Sequence, residues 1–86
     1  MDKTIVIDPS SLNSMIEVMD RYSEINHPIF GVSALGEKTR TSIFRDSIVV
    51  VTYQKNGWVR ENVYWRDGTC EELFRGREDT YESDNN

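Results

Sequence analysis

The stretch Ser47-Ile48-Val49-Val50-Val51-Thr52-Tyr53-Gln54-Lys55-Asn56-Gly57-Trp58-Val59-Arg60-Glu61-Asn62-Val63-Tyr64-Trp65 decides the fold. It holds the most apolar run of the chain, Ile48 to Val51, then breaks at Asn56-Gly57 and resumes with aromatic and β-branched residues. Such residues fit a pleated, half-buried surface. Asn-Gly is the strongest short-range hairpin signal, because both residues tolerate positive φ. The pattern predicts two antiparallel strands, 47–55 and 58–65, with the first central in a sheet. Two registers are open. A two-residue type I′ loop sets Val50 opposite Val63, whereas a three-residue Lys55-Asn56-Gly57 loop with a glycine bulge sets Val49 opposite Val63. In the second strand Trp58, Arg60, Asn62 and Tyr64 share one face, and Val59, Glu61, Val63 and Trp65 share the other. The first set is the more amphipathic and is expected to face outward.

Working outward, Asp67-Gly68 marks a second hairpin turn and 69–74 a closing strand. Upstream, 29–35 and 39–44 read as strands around the turn at Gly36. Before them the period changes. Leu12, Met15, Ile16, Met19 and Tyr22 recur at helical spacing, with Glu17, Asp20, Arg21 and Glu24 largely on the opposite side. Asp8-Pro9 is a helix-start signal, because the carboxylate accepts first-turn amides and proline has none to waste. Pro28 ends the helical pattern by steering its predecessor out of helical geometry. A short β-branched run, residues 3–7, precedes it. The expected fold is α+β: one amphipathic helix on an antiparallel sheet of four or five strands, in a β-α-β-β-β-β meander. Residues 1–77 form one domain, and 78–86 read as an acidic, disordered tail. The expected core is Ile5, Ile16, Met19, Ile48, Val50, Val63 and Leu73, with Phe30 or Phe44 closing an edge.

With 86 residues the chain has room for one domain. A chain of this size buries ~60–65 % of its unfolded surface, enough for one modest core and no deep enclosed site. Apolar residues make up 37 % and charged residues 29 %, which places the chain among folded rather than disordered compositions. No run approaches the ~18 apolar residues of a membrane span, and residues 1–7 lack the basic, then apolar, pattern of a secretory signal. A cytoplasmic location is expected.

Candidates for catalysis are few. His27, the single histidine, reads as a residue at the helix end facing the dipole. Cys70, the single cysteine, falls inside a strand and reads as a small packed side chain. A Cys–His nucleophile needs a base beside the thiol and a third group to orient it, and the sequence sets neither residue in that context. There is no C-x-x-C spacing, no Gly-centred calcium loop around Asp79, Glu82 and Asp84, and no phosphate-cradling glycine string. No enzyme activity, cofactor or metal is expected.

Charge is more informative. Residues 1–35 carry five acids against two bases, 36–66 three against six, and 67–86 seven against two, for a total of −5. A mildly basic, aromatic-bearing middle is thus flanked by an acidic helix and an acidic end. Glu17, Asp20, Glu24, Glu78, Asp79, Glu82 and Asp84 are the carboxylates expected to meet a basic surface on a larger, nucleic-acid-handling protein, where opposed potentials speed encounter. Trp58, Arg60 and Tyr64 are the expected anchors, being residue types that supply interface hot spots. There are two alternatives. In one, the face with Tyr53, Trp58, Arg60 and Tyr64 stacks single-stranded bases, although a net −5 repels a polyanion. In the other the protein is a self-associating module or homodimer that pairs through an exposed edge at 39–44.

This combination of 86 residues, an acidic helix and an acidic end resembles, in overall style, the small acidic inhibitors carried by bacteriophages and mobile elements, anti-CRISPR and other counter-defence proteins among them. The resemblance implies a protein that binds and inhibits a larger effector, and it carries over no individual residue. The basic middle block departs from a pure phosphate mimic and points to a mixed interface.

Overall fold

The computed structural model describes residues 5–6, 9–25 and 27–81. A two-residue strand β1 (Ile5–Val6) precedes helix α1 (Pro9–Tyr22). Five strands follow: β2 (Ile29–Val32), β3 (Lys38–Ile43), β4 (Ser47–Tyr53), β5 (Trp58–Trp65) and β6 (Thr69–Arg77). A 3-10 turn, Glu78–Thr80, comes after them. All pairings are antiparallel, in the order β1-β6-β5-β4-β3-β2. The chain therefore has the expected α+β fold, with α1 packed on the sheet nearest β3 and β4. β1, pairing beside β6, makes the sheet six-stranded.

The β4–β5 loop settles the register. The Gln54 amide donates to the Trp58 carbonyl at 2.7 Å and the Gly57 amide to the Gln54 carbonyl at 3.2 Å, with Gly57 at φ +85°. Lys55-Asn56-Gly57 is thus the three-residue loop, and Val49 lies opposite Val63. The loop at Ala34-Leu35-Gly36 closes in the same way, and at Arg66-Asp67-Gly68 the Gly68 amide donates to the Trp65 carbonyl at 3.0 Å with Gly68 at φ +94°. Gly68 has a second reason to be glycine, since a Cβ there would lie 3.2 Å from Leu12 Cδ2 on the helix.

Register also sorts the core. Val51 of β4 and Val59 and Val63 of β5 share one face and are 2 % exposed or less. Met19 is fully buried, and Ile48 is buried. Ile16 and Val50 are only half-buried, and Ile5 lies outside the residues whose side chains are described. Leu73 is 51 % exposed, contrary to its expected place in the core. The cause is a bulge: Glu61 faces Phe74 and Asn62 faces Glu72, so Leu73 is the unmatched residue between them. An extra residue in one strand breaks its in–out alternation. Phe30 and Phe44 are exposed and close no edge.

Two further differences bear on function. The segment 39–44 is not an edge, because β2 folds back outside β3 and leaves β3 paired on both sides. Nor does the chain leave the sheet at Arg77. The Glu78 amide donates to the Gly57 carbonyl at 2.8 Å, and the Tyr81 ring lies 5.0 Å from that of Phe74. Glu82 and Asp84 lie outside the described residues.

Candidate functional site

Of the ten residues singled out for partner binding, the eight that are described fall into separate groups. Glu17 and Asp20 on the helix, and Glu24 just past its end, each sit beside an arginine. Arg21 Nη2 lies 3.3 Å from Glu17, Arg66 Nη2 2.8 Å from Asp20, and Arg45 Nη2 3.6 Å from Glu24. Their negative potential is partly cancelled where it arises. Exposed pairs of this kind add little stability, about 0–1 kcal/mol each, but they weaken the helix as an acidic docking face. Arg66 does more than neutralise. Its Nη1 donates to the Arg45 carbonyl at 2.9 Å and its amide to the Asp46 carbonyl at 2.8 Å. One side chain thereby ties α1 to the β3–β4 and β5–β6 loops. No periodicity in the sequence signals this clamp, because its three partners come from distant segments.

A second group lies at the other end of β5, a strand of eight residues, hence about 23 Å away at 3.3 Å per residue. Trp58 opens β5 opposite Arg77, so the 3-10 turn carrying Glu78 and Asp79 follows directly beside it. Asp79 pairs with Arg77 at 3.6 Å, and Glu78 makes no ion pair among the described residues. The turn is held by Tyr81, whose hydroxyl accepts from Arg40 Nη2 at 3.4 Å and whose ring tilts 57° against Phe74. Burial first, and then the Glu61 carboxylate, push the Tyr81 hydroxyl above its ordinary pKa of 10.0, while Arg40 opposes them. Lys38, Lys55 and Tyr53 line an open hollow next to Glu78, so this corner mixes both signs of charge with aromatic surface.

The third group is the opposite sheet face. Strand alternation sets Trp58, Arg60, Asn62 and Tyr64 together, as expected, whereas Tyr53, expected to join them in stacking bases, pairs with Val59 and lies on the other face. Trp58 is 38 % exposed, but Arg60 and Tyr64 are half-buried, and Ile48 and Thr52 of the same face are buried. Burial, followed by Cys70, raises the Tyr64 pKa against the opposing charge of Arg60. Arg60 Nε is buried without a hydrogen-bond partner. A face of this kind presents one ring to solvent rather than a row of stacking platforms.

Cys70 sits in β6 between Ile5 and Tyr64, and the exposed His27 places Nδ1 3.3 Å from the Pro28 carbonyl. Among the described residues no three His, Cys, Asp or Glu gather as metal ligands, and no helix is long and apolar enough to cross a membrane. At the β5–β6 loop, the Thr69 hydroxyl and amide both donate to Asp67, at 2.6 and 3.0 Å, and hold its carboxyl below the usual range. That arrangement serves the turn.

The structure thus joins Trp58 to Glu78 and Asp79, and separates them from Asp20 and Glu24. No family model, curated protein or solved structure matches this chain.

Proposed function

We propose that this protein works by binding and modulating a larger protein with a basic, nucleic-acid-handling surface, without making or breaking bonds itself. The corner at Trp58, Glu78 and Asp79 is the docking end. What supports the reading above all is the seating of Tyr81 against Arg40 and Phe74. That contact fixes an acidic turn beside an exposed tryptophan, and the acidic residues Glu82 and Asp84 follow it in sequence. A rigid aromatic anchor with charge around it is the composition of an interface hot spot and its rim. The carboxylates steer encounter and Trp58 holds the complex. In its narrower form the protein is an inhibitor of the counter-defence type.

Affinity capture from a bacterial lysate tests this reading. The expected result is recovery of a nuclease, polymerase or other nucleic-acid enzyme, lost with Trp58→Ala. Recovery of none would count against it. The rival reading, single-stranded nucleic acid on the sheet face, is favoured by Arg60, which shares that face with Trp58 and whose Nε has no hydrogen-bond partner among the described residues. It requires filter binding that falls steeply with salt, and flat titrations at low salt remove it.

A further inference from the structure

β2 is the sheet's outermost strand beyond β3, and all four of its residues are exposed. Phe30 is 75 % exposed, Val32 70 % and Leu35 in the following loop 76 %. Edge strands are ordinarily blunted by lysine, proline or a bulge, because their free amides and carbonyls recruit other strands. β2 has none of these within it. Residues 29–35 carry no charge at all in a chain of net −5.

The hydrogen-bond phase of this edge can be read directly. The Ser33 amide donates to the Glu37 carbonyl at 2.7 Å, and the β2–β3 register continues that pairing as Val32 with Lys38 and Gly31 with Thr39. Hydrogen-bonded pairs alternate along an antiparallel ladder. Ile29, Gly31 and Ser33 therefore bond inward to β3, and Phe30 and Val32 turn their amides and carbonyls outward.

We propose that this edge pairs with the same edge of a second copy across a two-fold axis at Gly31, giving a continuous twelve-stranded sheet. In that register Phe30 faces Val32 of the second copy and Val32 faces its Phe30. The two pairs exchange four backbone hydrogen bonds. Each also joins an aromatic to a β-branched side chain, a favourable cross-strand combination. Gly31 meets Gly31 at the non-hydrogen-bonded position, where α-carbons come closest, about 4.5 Å. The residue without a side chain stands at the tightest point.

Neighbouring registers are poorer. Pairing Phe30 with itself would put Pro28, which has no amide, opposite Val32. Pairing Val32 with itself would put Phe30 opposite Ala34 in the turn. The neutral strand is also where two copies of a −5 chain approach with least repulsion, which favours a second copy over a charged partner strand. The inference does not depend on the function proposed above, since Trp58, Glu78 and Asp79 lie outside β2.

The test is sedimentation of the full chain from micromolar to millimolar concentration, together with site-directed crosslinking. The expected result is a monomer–dimer equilibrium that Phe30→Lys weakens about tenfold or more, with the far-ultraviolet circular dichroism of the wild type retained. In a Cys70→Ser background, Gly31→Cys should form a disulfide dimer on mild oxidation. Its α-carbon spacing suits the bond, and a Cβ there meets only Thr39 Oγ1, at 3.4 Å. Val32→Cys, offset from its copy by two residues along each strand, should crosslink far less. A chain that stays monomeric throughout, a dimer indifferent to Phe30→Lys, or Val32→Cys crosslinking as well as Gly31→Cys would each overturn the proposal.

Discussion

Replacing Tyr81 by alanine removes the aromatic side chain that seats the acidic turn on the sheet, and its cost can be built from the contacts. The ring pair with Phe74, at 5.0 Å between centroids, is worth about 0.5–1.5 kcal/mol beyond burial. Tyr81 is half-buried, so the apolar surface it withholds from water adds about 1 kcal/mol. The Arg40 contact, at 3.4 Å, is longer than a strong hydrogen bond and adds little. Tyr81→Ala should therefore cost about 2 kcal/mol, or a fall in Tm of about 10 °C for a domain this small. Tyr81→Phe keeps the ring and should cost less than about 0.5 kcal/mol. Urea titration of the three proteins, with equal slopes, measures both differences. If Tyr81→Ala matched the wild type, the turn would not be docked, and the case for an acidic corner held beside Trp58 would fail with it. The same substitution should also weaken partner binding, because Glu78 and Asp79 lose their fixed position.

Alkaline pH probes the same contact from another direction. Tyr64 and Tyr81 hold their protons more tightly in the fold than in the unfolded chain, whose value is near 10.0. Their contribution is complete below that pH and is lost as pH climbs through the raised folded-state values. Wild type should therefore lose stability above pH 10 more steeply than a Tyr64→Phe, Tyr81→Phe double variant, as read from urea midpoints across that range. Gly57→Ala should cost about 1 kcal/mol by calorimetry, from backbone strain alone, because φ is +85° and no atom lies within 4 Å of the added Cβ. Met19→Ala should cost about 3 kcal/mol and Leu73→Ala less than about 0.5 kcal/mol, since the first is fully buried and the second stands in a bulge. Equal losses would contradict the register.

The helix from Pro9 and the strands around Asn56-Gly57 are legible because their signals are local. Periodicity, a proline and a glycine with positive φ act within a few residues. The core was half legible. Val63 and Met19 follow from spacing, whereas Leu73 does not, because a bulge shifts phase and depends on the neighbouring strand rather than on β6 itself. The place of 39–44 inside the sheet is hidden for a similar reason, since strand order is a property of the whole sheet. Tyr81 is the most instructive residue. Polar neighbours on both sides make it look like part of a tail, and only the arrangement of Arg40 on β3 and Phe74 on β6 gives its ring a seat. The arginines facing Asp20 and Glu24 were equally hidden, being 46 and 21 residues distant in sequence.

The rate at which the captured partner associates, followed over a range of ionic strength, tests the central claim most directly. Wild type should associate faster as salt is lowered, and a Glu78→Lys, Asp79→Lys variant of unchanged stability should associate at least about tenfold more slowly at low salt. Identical association rates for the two proteins at every ionic strength would contradict it.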